Sequence, residues 1–249
     1  MNMKKIIVVT GGCGFIGHHF AEYIHKNTDW EIIIFDKLTY ASMGLNRLRN
    51  NKLLESNRVK VYTIDLCVEI AEGIKKEIGT DINYIVHMAA ETHVDNSISD
   101  PELFIKNNVM STFNMLEYAR ELGSSLKFFF NFSTDEVYGD IETGHHIETD
   151  LLKPSNPYSA TKAALHSLSN SLAKEFSTFN ITSNTIALSP FPTDMLNTIS
   201  QKDIDWYLNE QKIKRLATID DITNVVEFFS SEKSAFITAQ FIQLGGIST

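Results

Sequence analysis

The chain has 249 residues, 43% of them hydrophobic, and a formal net charge of -9. That length and apolar content can bury one sizeable core without requiring a second domain. The acidic balance excludes a general affinity for nucleic acid or an anionic membrane surface, although local backbone N–H groups can still hold an anionic cofactor.

The first strand is expected over Lys5–Thr10. It runs into Thr10-Gly11-Gly12-Cys13-Gly14-Phe15-Ile16-Gly17, and a helix follows over Phe15–Lys26. Glycines at 11, 14 and 17 suit a tight turn, close approach of backbone to a pyrophosphate, and close helix–strand packing. The helix start at Phe15 and Ile16 then presents unpaired N–H groups and a positive dipole end. A second strand, Glu31–Phe35, delivers Asp36, placed to accept hydrogen bonds from the adenosine ribose and to repel a ribose phosphate. The cofactor expected is therefore NAD, with Lys37 tempering the preference. The third strand, Val59–Ile64, ends at Asp65. Its carboxylate either meets the adenine amino group, with Leu66 beside it at the cofactor, or N-caps a helix starting at Leu66. After the fourth strand, Tyr84–Met88, Ala89 and Ala90 are small enough for the cofactor to lie against the backbone.

Helix Pro101–Leu122 carries Asn108, and the fifth strand, Leu126–Phe132, leads to Thr134. The apolar run Phe128–Phe132 fits a strand buried on both faces. In Pro157-Tyr158-Ser159-Ala160-Thr161-Lys162, Tyr158 and Lys162 stand four apart on one face of a helix over Tyr158–Thr178. An ammonium at Lys162 would lower the phenol pKa and make Tyr158 a proton shuttle. Lys162 would also reach the nicotinamide ribose, and Thr134 would hydrogen-bond the reacting oxygen. Asn108 completes the catalytic set. A sixth strand, Thr182–Ala187, a helix, Ile219–Ser230, and a seventh strand, Gln240–Leu244, follow. Alternation of this kind reads as one doubly wound Rossmann-type α/β domain over 1–249 with a seven-stranded parallel sheet. A short substrate lid is expected around 188–217.

Cys13 and Cys67 form no zinc-like spacing with histidine, so reduced thiols and no metal are expected. No apolar run approaches the roughly 20 residues that span a bilayer, and the first residues lead directly into a strand pattern, so a cytoplasmic location is expected. His145 and His146 are expected on a polar surface loop, and His18, His19 and His25 away from the chemistry.

These residues together resemble the short-chain dehydrogenase/reductase superfamily. From Met3 to about Ala164 the chain is similar to its extended branch, the dTDP-glucose 4,6-dehydratases, through TGGCGFIG at 10–17, FDKLTYA at 35–41, AAETHVDNSI at 89–98, STDEVYGD at 133–140 and PSNPYSATKA at 154–163. From about Ile181 it looks like the compact branch, exemplified by 3-oxoacyl-acyl-carrier-protein reductase, through Ser183–Ala187, Pro192-Thr193-Asp194-Met195, Lys214–Ala217 and the ending Ile237–Gly246. The first resemblance implies that Tyr158 is the base for C4 oxidation of a nucleotide-activated sugar, Asp135 the acid and Glu136 the base of elimination. The second implies that Thr193 contacts the cofactor's carboxamide or phosphate. Together they imply a homodimer or homotetramer, paired through the helices at 101–122 and 158–178. The leading reading is an NAD-dependent enzyme on a nucleotide sugar. A compact alcohol dehydrogenase or carbonyl reductase on a small substrate, and a non-catalytic dinucleotide-binding scaffold, are the alternatives.

Overall fold

The computed structural model describes residues 4–140, 146, 150–188, 191–193 and 200–246. Seven strands, β1 (Ile6–Thr10), β2 (Glu31–Asp36), β3 (Val59–Thr63), β4 (Tyr84–His87), β5 (Phe128–Thr134), β6 (Thr182–Leu188) and β7 (Phe241–Leu244), form one sheet. The order is β3-β2-β1-β4-β5-β6-β7, and every pairing is parallel. The chain reverses its direction of winding between β1 and β4, so the loops after these two strands diverge and leave a crevice at their carboxyl ends.

Among the described residues nine α-helices connect the strands: α1 (Phe15–Asn27), α2 (Asn46–Asn50), α3 (Glu72–Ile78), α4 (Val94–Ser99), α5 (Pro101–Phe104), α6 (Ser111–Leu122), α7 (Pro157–Phe176), α8 (Gln201–Glu210) and α9 (Ile219–Ser230). They cover both faces of the sheet. On one face Ile7, Val9, Ile34, Phe128 and Phe130 pack with Phe20 and Ile24 of α1 and Ile222, Val226 and Phe229 of α9. On the other, Val8, Ile33, Ile85 and Phe129 pack with Met115, Leu116 and Ala119 of α6 and Phe176 of α7. Alternate residues of one strand thus feed two apolar layers, which is why the strands lack a polar face. All seven residues of β5 are buried, and Tyr84 stacks on Phe128 with ring centroids 4.7 Å apart.

Three expectations need correction. The fifth strand starts at Phe128 and continues to Thr134, carrying Ser133 and Thr134 on the strand itself, because β6 pairs with it through Leu188. The helix expected over Pro101–Leu122 contains a π-helical stretch, Ile105–Met110, between α5 and α6. No helix starts at Leu66: Asp65 instead accepts the Cys67 N–H at 2.9 Å in a tight turn, and the helix begins at Glu72. The segment 188–217 contains α8, although residues 189–190 and 194–199 of this lid lie outside the described residues. Among the described residues no helix is long and apolar enough to cross a membrane, and no three His, Cys, Asp or Glu side chains gather as metal ligands.

Candidate active site

The glycine loop, 11–14, joins β1 to α1. Gly11 has φ +68°, and a Cβ there would sit 2.9 Å from the Ala89 backbone, so only glycine lets the loop pass so close to the end of β4. A Cβ on Gly17 would sit 2.2 Å from the Gly11 carbonyl oxygen. These two glycines fix the loop's own packing. Gly14 differs: its Cβ position meets only the Gly11 oxygen, at 3.1 Å, and otherwise faces open space. Gly14 is also the N-cap of α1, with no side chain capping it and no acidic residue in the first turn. The N–H groups at Phe15, Ile16 and Gly17 therefore point from an uncapped, positive helix end. His18 closes this turn by a hydrogen bond between Nδ1 and the Gly14 carbonyl, 2.9 Å.

Asp36 is buried at the end of β2, where Oδ2 accepts the Cys13 N–H at 2.9 Å and Oδ1 accepts the Leu38 N–H at 2.8 Å. It ties the glycine loop to β2; the Cys13 thiol bonds it as well, and the carboxylate's four lone-pair sites still leave acceptor capacity to spare. Lys37 is engaged with Asp65 at 2.7 Å. Burial opposes the ionised Asp65, but the Lys37 ammonium and the Cys67 N–H hold its carboxyl below the usual range. Leu66 turns its side chain into the core beside Ile33 and Phe35. Ala89 and Ala90 are half-buried, and Met88 and Ala89 both donate N–H bonds to Thr10 Oγ1, at 3.1 and 3.0 Å. The half-buried Thr193 follows Phe191, whose ring meets Phe15 at 6.3 Å and so carries this loop to the start of α1. Arg47, which the sequence did not single out, donates to the Cys13 carbonyl at 3.3 Å.

The second group of residues lies at the ends of β5 and α7. Asn156, Pro157 and Ser159 form a capping box: Asn156 Oδ1 accepts the Ser159 N–H at 2.8 Å, and Ser159 Oγ accepts the Asn156 N–H at 3.3 Å. This fixes where α7 begins and therefore where Tyr158 and Lys162 emerge. Asn156 Nδ2 also lies 3.5 Å from Glu136 Oε2. Thr134 at the strand end accepts the Glu136 N–H and donates to Asp135 Oδ1, both at 3.3 Å. Tyr158 is buried edge-on to Phe104, with its phenol facing Thr134.

The electrostatics depart from the sequence expectation. Lys162 donates to the Phe132 carbonyl at 2.9 Å, and burial lowers its ammonium to about 8. Tyr158 is not depressed. Burial first, then the Glu136 charge, raises its phenol well above the ordinary range, with the Thr134 hydroxyl acting the other way. Loss of solvent is thus the main cause, and the Glu136 and Asp135 charges add to it. Glu136 reaches the open side of the site, yet crowding by protein and then the Asp135 charge raise its carboxyl to about 7. One carboxyl poised near neutrality beside another suits paired acid–base work.

Asn108 does not touch this group. Within the π-helical stretch it accepts the Glu91 N–H at 2.7 Å and donates from Nδ2 to the Glu91 carbonyl at 3.0 Å and Thr161 Oγ1 at 2.9 Å. Glu91, buried and reached by Asn107 Nδ2 and the Tyr40 hydroxyl, was also missed, as was His87. His146 is more enclosed than a surface imidazole, bonded to Asp150 and Gly139 and stacked on Tyr138. His93 keeps a buried Nδ1 without a partner, and His145 lies outside the described residues.

Residues 8–202 match the family model described as GDP-mannose 4,6 dehydratase. The chain belongs to this family. Its membership places it in the short-chain dehydrogenase/reductase superfamily, as the resemblance implied. A dTDP-glucose 4,6-dehydratase of Salmonella typhimurium is 32% identical over 254 residues, covering 92% of this chain and 69% of that protein. The chain spans roughly half to two thirds of the length of the curated relatives it matches. Among solved structures, a Brucella melitensis 3-oxoacyl-[acyl-carrier protein] reductase superposes with a TM-score of 0.77 at 17% identity, covering 98% of this chain and 92% of that one. A Streptomyces venezuelae dTDP-glucose 4,6-dehydratase with NAD bound gives 0.72 at 24% identity, covering 97% and 76%. These structures share the fold. The family sequence runs through the glycine loop, the Thr134-Asp135-Glu136 triplet and the Tyr158–Lys162 pair alike.

Proposed function

We propose that this chain is an NAD-dependent enzyme that oxidises C4 of a nucleotide-activated hexose and eliminates water across C5 and C6. The observation carrying the reading is the Asp135–Glu136 pair, held at the end of β5 next to Tyr158, with the Glu136 carboxyl raised to about 7. Hydride transfer alone leaves these two carboxyls no proton to move.

The open side at Gly14, the uncapped start of α1 and the spare lone pairs of Asp36 fit a dinucleotide: pyrophosphate against residues 14–17 and adenosine ribose on Asp36. Lys37, already paired with Asp65, is a poor receiver for a ribose phosphate, which favours NAD over NADP. Asp65, Leu66, Ala89, Ala90 and Thr193 would line the remainder of that groove. NAD held by these residues would supply the hydride acceptor for oxidation at C4 and the hydride donor for reduction at C6. Tyr158 takes the C4 hydroxyl proton as the alcohol becomes a ketone and gives one back if the ketone is reduced. Glu136 removes the C5 proton, made acidic by the adjacent ketone, and returns a proton to C5 when hydride adds at C6. Asp135 protonates the departing C6 hydroxyl, so that water leaves. Thr134 steadies the C4 oxygen, and Lys162 holds the nicotinamide ribose. The product is the 4-keto-6-deoxy sugar.

The second reading, a carbonyl reductase or alcohol dehydrogenase, is favoured by one feature: only the segment 188–217 separates β6 from α9, a small surface for a nucleotide diphosphate. Incubation with dTDP-glucose and with small ketones, followed by product analysis, separates the two. A homodimer or homotetramer in the cytoplasm completes the proposal, supported by Ile105, Met110 and Phe113, which stand exposed along the 101–122 segment.

A further inference from the structure

Between the glycine loop and the catalytic helix lies a continuous chain of buried polar groups that the mechanism does not use. Thr10 and His87 end β1 and β4, Thr112 belongs to α6, Asn108 to the π-helical stretch and Thr161 to α7; all five are at least nine-tenths buried. His87 Nδ1 lies 2.8 Å from Thr10 Oγ1, and Nε2 lies 2.9 Å from Thr112 Oγ1. Thr112 Oγ1 donates to the Asn108 carbonyl at 2.7 Å. Asn108 Nδ2 donates to Thr161 Oγ1, and Thr161 Oγ1 donates to the Tyr158 carbonyl at 2.6 Å.

Hydrogen-bond inventory fixes the direction of every link. A hydroxyl has one proton and two lone pairs. Thr112 Oγ1 has given its one proton to the Asn108 carbonyl, so toward His87 it can only accept, and Nε2–H donates to it. Nδ1 is then an acceptor and takes the Thr10 hydroxyl proton, while Thr10 Oγ1 accepts the Ala89 N–H and shares the Met88 N–H with the Thr10 carbonyl. A proton on Nδ1 would leave Nε2 an acceptor facing a hydroxyl whose proton is already donated. The surroundings agree: burial, and then the Lys162 charge, push the imidazole down to about 3. The chain runs one way, from loop to helix, with each donor matched.

Resting on the reading that Tyr158 and the glycine loop serve one NAD-dependent site, we propose that His87 is a positioning residue whose imidazole, through Thr112, Asn108 and Thr161, sets the catalytic helix in register with the nucleotide-binding loop. Because the links are buried and fully matched, removing one leaves a partner unsatisfied rather than re-solvated, and the two ends lose their common reference. Misplacement of reacting groups on the order of 1 Å is enough to cost up to about 10²-fold in rate.

Two measurements test this. The first reads ¹⁵N-labelled imidazole of the full chain by NMR, without cofactor or substrate: His87 is expected as the Nε2–H tautomer across neutral pH, and an Nδ1–H tautomer or a charged ring overturns the proposal. The second compares Thr112→Val, which keeps shape and loses the hydroxyl, with Thr112→Ser, which keeps the hydroxyl. Thr112→Val is expected to lower kcat about tenfold or more on dTDP-glucose, with the NAD dissociation constant within about twofold, and Thr112→Ser to restore kcat. In ¹³Cζ-tyrosine spectra the Tyr158 resonance should move in the valine variant and return in the serine variant. A folded Thr112→Val protein with wild-type kcat and an unmoved Tyr158 resonance, or a serine variant as impaired as the valine one, refutes it. If the wild-type protein does not turn over the sugar nucleotide, the substrate assignment fails alone, and the tautomer and Tyr158 resonance still decide the role of His87.

Discussion

Two glycines placed in helices should respond oppositely to the same added methyl. A Cβ on Gly17 in α1 would fall 2.2 Å from the Gly11 carbonyl oxygen and 2.8 Å from the Gly12 Cα, both backbone atoms. Ordinary contacts lie near 3.5 Å, so the loop and helix must separate by about 1 Å. Overpacking of this kind costs about 1–3 kcal/mol, and a chain of this size shifts about 2–4 °C in Tm per kcal/mol. Gly17→Ala is therefore expected to melt several degrees lower. The displaced backbone runs directly into residues 14–17, proposed to receive the pyrophosphate, so NAD affinity should fall at least tenfold. Gly73 in α3 has no atom within 4 Å of its Cβ position, so Gly73→Ala should hold or raise stability by up to about 1 kcal/mol and leave NAD binding alone. Thermal unfolding and NADH fluorescence titration read both effects. A Gly17→Ala protein with wild-type Tm and NADH affinity would refute the packing argument, and an equal loss in Gly73→Ala would show that the effect is not local.

Other consequences follow from the same geometry. Asp36→Ala should erase most of the preference for NAD(H) over NADP(H) in paired titrations; tighter NADP(H) binding by the unaltered protein would contradict the ribose assignment. Tyr158→Phe should lower turnover by about 10²–10⁴-fold, the range for a lost general acid or base, while leaving NADH affinity nearly unchanged. Because the Glu136 carboxyl is raised to about 7, it is mostly protonated below that pH and unable to act as a base, so dehydration should rise with pH through neutrality. Steady-state rates across the neutral range check this, and a flat profile under conditions limited by elimination would remove Glu136 from that role.

Several strands were legible because they are apolar at nearly every position, as a doubly covered parallel sheet demands; EIIIF and KFFFNF leave no polar face to misplace. The glycine loop and the Tyr158–Lys162 spacing were legible because local chain geometry generates them. Cross-chain relations were not. Nothing near Asp65 in the sequence shows that its carboxylate turns back on Cys67 N–H and pairs with Lys37, which follows the preceding strand, β2, the neighbour of β3 in the sheet. The expected depression of the Tyr158 phenol failed because spacing gives the distance between residues on a helix but not what surrounds them: Lys162 is drawn to the Phe132 carbonyl, and Glu136 faces the phenol instead. His87 escaped notice for a similar reason. A histidine ending a buried strand reads as core, and its two threonine partners lie 77 residues upstream and 25 residues downstream.

The central claim is that elimination follows C4 oxidation at one site. Incubation with dTDP-glucose and NAD in deuterated water, followed by NMR and mass analysis of the sugar, tests it most directly. The account predicts a 4-keto-6-deoxyhexose carrying deuterium at C5, with its formation lost in Glu136→Gln while oxidation at C4 persists. A 4-ketohexose that keeps its C6 hydroxyl, produced equally by the wild-type protein and Glu136→Gln, would contradict it.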